Sequence, residues 1–412
     1  MYIKRFLEKP FLEANGFFPA LLVTGARQVG KTTFLRTIAE PGRRFVSLDP
    51  MDVRIRAKED PRLFLADNPP PVIIDEIQYA PELLPYIKAI IDDTRNASPE
   101  RAKGMFWLTG SQQFQLMKGV TESLAGRIGI FNMYGLSNRE LAGATDCEPF
   151  LPEKFSAASM PSKTPAEFFS SLWLGSFPEL AATPDSAKFW TRFYQSYLKS
   201  YLERDVSQLS QVADHDVFYA FLKSVAARSG QMLNYSDLAR DTGVSQPTAK
   251  SYLSILQTSG IVKLLYPYRT NNSAPMVSTP KLYMLDTGLM AFLSEWTTPE
   301  VLANGAEAGH FFESWCFAEI LKSYANAGEE PSLYYYRDKD RNPKEIDIII
   351  KKNGTLYPIE FKKAATISKD AVRNFGKLAT FKQPVGTGAL VSLFPEVTHL
   401  KDDVLTIPAT AL

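Results

Sequence analysis

Residues 25–32 read GARQVGKT: Gly25, Ala26, Arg27, Gln28, Val29, Gly30, Lys31, Thr32. The spacing is that of a phosphate-binding loop, in which glycines let successive backbone N–H groups curl around phosphate oxygens. The surroundings agree with it. The apolar run ALLVT at 20–24 leads in as a strand, and a helix-forming stretch that includes Thr33 leads out. A helix beginning at that point adds a favourable dipole for an anion. Residues 25–33 are therefore expected to hold ATP. Lys31 is expected to reach the β- and γ-phosphate oxygens, and Thr32 to place its hydroxyl on Mg²⁺.

A matching acidic strand lies downstream. In PPVIIDEIQ, Val72, Ile73 and Ile74 predict a buried strand whose C-terminal end delivers Asp75 and Glu76. Ligands of an open parallel sheet bind at that end. Asp75 is expected to hold Mg²⁺ through water, and Glu76 to orient or deprotonate the attacking water. A third strand, MFWLTGSQQ, ends in Thr109, Ser111 and Gln112, polar groups expected to sense the γ-phosphate. Arg127, in SLAGR, is a candidate to stabilise transition-state charge, from its own subunit or from a neighbour.

The whole chain has 412 residues, which predicts two to four domains. Its 45% hydrophobic and 22% charged residues suit a folded protein. Lys+Arg is 46 against 45 Asp+Glu, a formal charge of +1, which excludes a uniformly basic coat but not a local basic groove. The two cysteines, Cys147 and Cys316, form no paired motif and suit a reducing cytoplasm. Apolar runs are short, so neither a membrane span nor an export signal is expected.

Strands are predicted at 20–24, 44–48, 71–74, 105–108 and 129–133, alternating with helices. Residues 149–165, rich in Pro, Ser and Ala, read as a boundary. The expected division is a P-loop core at 1–148, a helical lid at 166–229, a helix-turn-helix segment at 230–275 and a last domain at 276–412. In that last domain a helix near 310–324 precedes strands near 332–336, 345–351 and 356–361.

The strings GARQVGKTT, IIDEIQ, TGSQQF, SLAGRI, GSFPE and YLERDV occur in one order, followed by GVSQPTAKSYLSIL, STPKLYMLDTG, FFESW, EIDIII and IEFKK. Together they resemble the large bacterial and archaeal family of AAA-type ATPases that carry a C-terminal domain of unknown function with a restriction-endonuclease-like fold. The resemblance covers essentially the whole chain. It implies a multi-domain α/β protein: an AAA-type parallel sheet, a helical lid, a winged helix and a nuclease-like α/β domain. It implies no settled biological role.

Two later segments carry chemistry of their own. At 234–261, Leu238 and Ala239 are apolar on a first helix, Gly243 permits a tight turn and Ser245 suits the N-cap of a second helix. Gln246, Thr248, Lys250 and Ser251 fall on the side that would meet a DNA groove, with IVKLLYPYR as a wing. Winged helices also serve as lids and protein contacts, and few basic residues flank this one. In the last domain, Asp347 stands in EIDIIIK, and Glu360 and Lys362 share a face of the next strand, with Glu313 on the preceding helix. This resembles a PD-(D/E)-x-K nuclease core, in which Asp347 and Glu360 bind Mg²⁺ and Lys362 lowers the barrier to water attack. A nuclease-like fold without cleavage activity fits the same residues. The basic residues from Lys362 to Lys382 track a phosphate backbone or form a solvated helix face. Tyr334, Tyr335 and Tyr336 are expected to pack a sheet rather than stack on bases. His215, His310 and His399 lack metal-ligand spacing and are read as structural.

The reading is an ATP-hydrolysing, DNA-binding or DNA-processing protein, a homo-oligomer, in which hydrolysis drives a lid around Tyr201 and Asp205. Two alternatives stay open: an ATP-dependent, metal-dependent DNA nuclease, and a nucleotide-gated switch of protein or DNA binding with little turnover.

Overall fold

The computed structural model describes residues 2–110, 119–120, 122–145, 148–155, 163–202, 214–269 and 278–412. The expected roles of Ser111 and Gln112, together with Cys147 and the lid residue Asp205, lie outside the described residues.

β1 (Ala20–Thr24), β2 (Arg44–Ser47), β3 (Val72–Asp75), β4 (Phe106–Gly110) and β5 (Ile128–Asn132) form one sheet in the order β2-β3-β4-β1-β5. All its pairings are parallel. The inner strands β1, β3 and β4 arise from apolar runs buried on both faces, while the edge strands β2 and β5 are partly exposed. In β1, Leu21 and Val23 join one core while Ala20 and Leu22 join the other. On the second face pack α3 (Met51–Glu59), α4 (Pro61–Asp67) and α5 (Leu83–Ala97). The first face receives α1 (Glu8–Asn15) and α2 (Lys31–Ile38), with Phe11 making ring contacts to Phe34, Trp107 and Phe131 at 5.5, 5.0 and 5.4 Å. Because every strand runs the same way, Thr24, Ser47, Asp75 and Gly110 end on one edge.

The next part is helical: α6 (Asn138–Leu141), α7 (Pro165–Leu174), α8 (Pro178–Ala181), α9 (Trp190–Tyr201) and α10 (His215–Ala226). α11 (Tyr235–Thr242) starts where Asn234 accepts the Ser236 and Asp237 N–H groups, and it stops at Gly243, whose φ of 68° is left-handed. Ser245 then accepts the Thr248 N–H and starts α12 (Gln246–Thr258). An antiparallel sheet follows, β6 (Gln231–Met232), β8 (Lys281–Met284) and β7 (Val262–Leu265), in that spatial order. The expected boundary at 276 therefore needs correcting. β8 pairs with β6 and β7, so 281–284 belong to the helix–turn–helix unit and not to the last domain.

After α13 (Thr287–Leu293) and α14 (Pro299–Asn304) comes the long α15 (Ala308–Asn326). It lies beside a six-stranded mixed sheet ordered β13-β14-β12-β11-β10-β9. Its strands are β9 (Leu333–Arg337), β10 (Glu345–Lys352), β11 (Thr355–Lys362), β12 (Gly388–Ser392), β13 (Thr398–Lys401) and β14 (Val404–Pro408). The last three were not foreseen. Tyr335 and Tyr336 are buried in the packing of this sheet.

One apolar core runs from Leu21 and Trp107 of the parallel sheet, through Phe168, Tyr194 and Leu256, to Phe317, Ile348 and Ile359 of the last domain. Asp286 pins its middle. The carboxylate accepts from the Ser176 N–H (2.7 Å) and hydroxyl (2.8 Å), the Tyr194 hydroxyl (2.8 Å) and the Leu289 N–H (2.7 Å). Asp286→Ala strands these donors. Urea unfolding should show a loss of about 2–4 kcal/mol; a loss within error of zero would mean water replaces the carboxylate without penalty.

Candidate functional site

The loop after β1 is a concave turn built from unusual backbone angles. Gly25 has φ 150°, Gln28 has φ 61° and Gly30 has φ 95°. A Cβ on Gly25 would lie 2.0 Å from the Met133 carbonyl oxygen, so only glycine fits there. Lys31, on the first turn of α2, is buried, and its ammonium donates to the carbonyls of Gly25 (3.0 Å) and Ala26 (2.8 Å). It thus lies across the concavity that the loop encloses. Thr33, the next residue but one, is exposed.

The acidic end of β3 meets the loop. The Thr32 hydroxyl donates to Asp75 Oδ1 at 2.6 Å, and the Thr109 hydroxyl donates to the same oxygen at 2.6 Å. Ser47 donates to Oδ2 at 3.4 Å. Thr109 also accepts the Glu76 N–H at 2.9 Å. Glu76 itself sits at φ 59°, ψ 48°, a left-handed conformation that costs a non-glycine residue energy and that the Thr109 bond helps to hold. Its carboxylate accepts from the Gln78 amide. Thr109 was expected to sense the γ-phosphate. It is instead fully buried and orients the acidic pair from beneath.

Arg127 corrects a second expectation. It precedes β5 at the edge where the strands begin, and its carbonyl accepts the N–H of Ala20, the first residue of β1. The five-residue length of β1 puts it about 16 Å from the loop. Its guanidinium grips Asp92 with a fork of 2.6 and 3.0 Å, which also holds the Asp92 carboxyl below its ordinary range. That placement does not serve the nucleotide of its own loop.

Arg5 and Arg54, which the motifs did not flag, brace the site together with Arg27 of the loop itself. Arg5, buried, donates to the Val29 carbonyl of the loop (3.4 Å) and to the Tyr134 carbonyl (2.6 Å), and pairs with Glu140 at 3.1 Å. Arg27 donates to the Tyr79 hydroxyl at 3.1 Å, and Arg54 lies 3.8 Å over the same ring. No sequence signal links Arg5 to a loop more than twenty residues away.

The loop also touches the parts of the chain beyond it. Pro178 of α8 would stand 3.9 Å from a Cβ on Gly30. Gly260, just past α12, would bring a Cβ to 3.2 Å from the Ala26 nitrogen. Ala26, Val29, Ser176, Phe177 and Gly260 line one narrow cavity of about 30 Å³ at this seam.

The second constellation lies between β8, α15, β10 and β11. Glu360 and Lys362 pair at 2.6 Å, and Asp347 Oδ2 accepts the Phe361 N–H at 2.9 Å. Glu313 accepts from the Tyr283 hydroxyl at 2.6 Å. Lys281 points its ammonium into the cluster, 2.9 Å from Glu313, 2.5 Å from Glu345 and 3.5 Å from Asp347. Burial works against the charge on Lys281, but Tyr283 and these acids outweigh it and raise its pKa. Burial, and then the Asp347 charge, push Glu360 up to about 8. Among the described residues no group of three or more His, Cys, Asp or Glu is arranged to hold a metal ion.

Residues 18–142 match the AAA domain family, 166–300 a domain of unknown function (DUF8612) and 308–412 another (DUF4143). The N-terminal part is thus an AAA-type P-loop ATPase domain. Two uncharacterized mycobacterial proteins, from Mycobacterium tuberculosis and Mycobacterium bovis, are each 29% identical over 355 residues, 85% of this chain and 71% of theirs. A Walker-type ATPase of Pyrococcus abyssi is 16% identical, with a TM-score of 0.43 over 70% of this chain and 94% of its own. A signal-transduction ATPase with a tetratricopeptide repeat sensor, from Pyrococcus horikoshii, is 12% identical, with a TM-score of 0.26 over 79% of this chain and 47% of its own. Among the described residues no helix is long and apolar enough to cross a membrane.

Two outcomes test this geometry. Thr109→Val keeps the volume and removes the hydroxyl that holds Asp75 and Glu76. Turnover of ATP should fall roughly 10–100-fold, with nucleotide affinity little changed; equal losses in both would show that Thr109 shapes the binding loop instead. For Glu360, the unfolded chain loses its proton near the ordinary 4.5 while the folded protein keeps it to about 8, so stability from this group falls as pH rises between those values. Thermal unfolding from pH 4.5 to 8.5 should show Glu360→Gln gaining on the wild type across that window, and a constant difference would contradict the shift.

Proposed function

We propose that the chain hydrolyses ATP and passes the resulting movement to a DNA-facing helix–turn–helix unit and the C-terminal domain. The observation that carries this reading is the seam at the phosphate loop. Ala26 packs against Gly260 at the end of α12, and Gly30 lies beside Pro178. A change in the loop is thereby felt at both elements, without an intermediate.

The residues suit Mg²⁺ and ATP. The loop's positive φ angles make a concave cradle, Lys31 spans it, and the Thr32 hydroxyl and Asp75 carboxylate share one hydrogen bond where a hard cation takes oxygen ligands. Bound Mg²⁺ supplies charge neutralisation at the phosphates. With ATP and Mg²⁺ bound, Lys31 would hold the β- and γ-oxygens, Thr32 and Asp75 would hold the metal, and Glu76 would orient the attacking water from the shelf that Thr109 gives it.

The DNA-facing surface is the first turn of α12. Gln246 and Lys250 are exposed there and, with Tyr235, Ser236 and Thr279, line an open depression. The pairing of β7 with β8 behind it supports reading this unit as a winged helix. Nuclease action is the weaker alternative, because an ammonium stands among its carboxylates.

Lys31→Ala should abolish ATP binding. Glu76→Gln should keep binding and cut turnover about 10²–10³-fold. Hydrolysis that survives both changes would sink the ATPase assignment. Duplex, single-stranded and branched DNA should be compared as activators. At least one should raise the rate, and Lys250→Ala should blunt the rise. A flat response to all three favours a nucleotide-gated switch whose partner is a protein.

A further inference from the structure

The C-terminal carboxylate pocket resembles a two-carboxylate metal site in sequence, but its occupant is different. Lys281 comes from β8, in the three-stranded sheet, and crosses into the six-stranded domain with only 3% of its surface exposed. Its ammonium stands 2.9 Å from Glu313, 2.5 Å from Glu345 and 3.5 Å from Asp347. These acids come from α15 and β10, and all three converge on one nitrogen. The remaining cations have partners as well: Lys362 lies 2.6 Å from Glu360, and Arg337 lies 2.8 Å from Glu345.

The charges can be counted. Glu313, Glu345 and Asp347, when ionised, carry three negative charges, while Glu360 keeps its proton to about 8, against three positive charges on Lys281, Lys362 and Arg337. The cluster is then already neutral. A divalent cation held by Glu313 and Asp347 would have the Lys281 ammonium within about 4–5 Å of it, a like-charge contact in a buried setting where repulsion is strong. Placing the ion means removing the lysine.

We propose that Lys281 takes the place of a divalent cation in this pocket, so that the site excludes Mg²⁺ and acts as a buried ionic joint between the helix–turn–helix sheet and the C-terminal domain. The joint follows from the same geometry. An ammonium with three donors reaches α15 and β10 at once, while its own backbone is held in β8 between β6 and β7. The inference does not depend on the ATPase reading, since none of these residues lies at the phosphate loop.

The test is Mn²⁺ binding to the nucleotide-free full chain, followed by the loss of the free-ion paramagnetic resonance signal. Wild type and Asp347→Asn should titrate identically, because any weak binding at Asp75 is common to both. A wild type that binds an extra equivalent, lost in Asp347→Asn, overturns the proposal. Lys281→Met supplies the complement. It should be less stable than wild type without metal, gain a Mn²⁺ equivalent that a further Asp347→Asn change abolishes, and recover thermal stability as Mn²⁺ is added. A folded Lys281→Met that gains no ion also overturns it, because the lysine would then not be what excludes the metal. Should Lys281→Met fail to fold, the comparison of wild type with Asp347→Asn still decides.

Discussion

The Asp75 carboxylate is the constraint on which the nucleotide site depends. One of its oxygens receives two hydroxyls, Thr32 from the start of α2 and Thr109 from β4, each at 2.6 Å. Those bonds tie the loop after β1 to the ends of β3 and β4. The strand order makes this possible, because β4 lies between β1 and β3 and brings Thr109 under the acidic pair. Glu76 then keeps its left-handed backbone because its N–H has Thr109 to bond to. The geometry of this site is a property of three neighbouring strand ends rather than of any one motif.

A second constraint works at longer range. The loop is packed from behind by elements that are distant in sequence: Arg5 on the Val29 carbonyl, Pro178 beside Gly30, and Gly260 against Ala26. Asp286 fixes the layer behind these by joining Ser176 to Tyr194 and the start of α13. The loop is thereby in direct contact with α8 and with the end of α12.

Much of the N-terminal architecture was legible in the residues. The predicted strand at 20–24 coincides with β1, and the other four strands of that sheet are offset by a residue or two. Buried parallel strands read as unbroken apolar runs between turn signals, and those runs are strong here. The cap at Ser245 and the turn at Gly243 were equally readable, being local chemistry. What failed was non-local. Motif spacing does not say at which end of a strand a residue falls, so Arg127 was credited with a reach it lacks in its own subunit. β8 looked like the start of the last domain because nothing in KLYM reveals that its partners are β6 and β7. Lys281 was passed over for the same reason, since the acids it meets lie 32 to 66 residues further on. The strands β12 to β14 were missed where short apolar runs between polar turns gave no clear period.

The apolar core that runs unbroken from Trp107 to Ile359 bears on how such a chain can vary over evolutionary time. Three family matches divide it at about residues 142–166 and 300–308, as though it were assembled from interchangeable pieces. The physical seams do not follow those lines. An exchange of the middle piece would have to reproduce the faces that Phe168 turns to Phe312 and Trp315, and that Tyr283 turns to Phe317. The middle piece therefore does not part from the last one without losing those ring contacts.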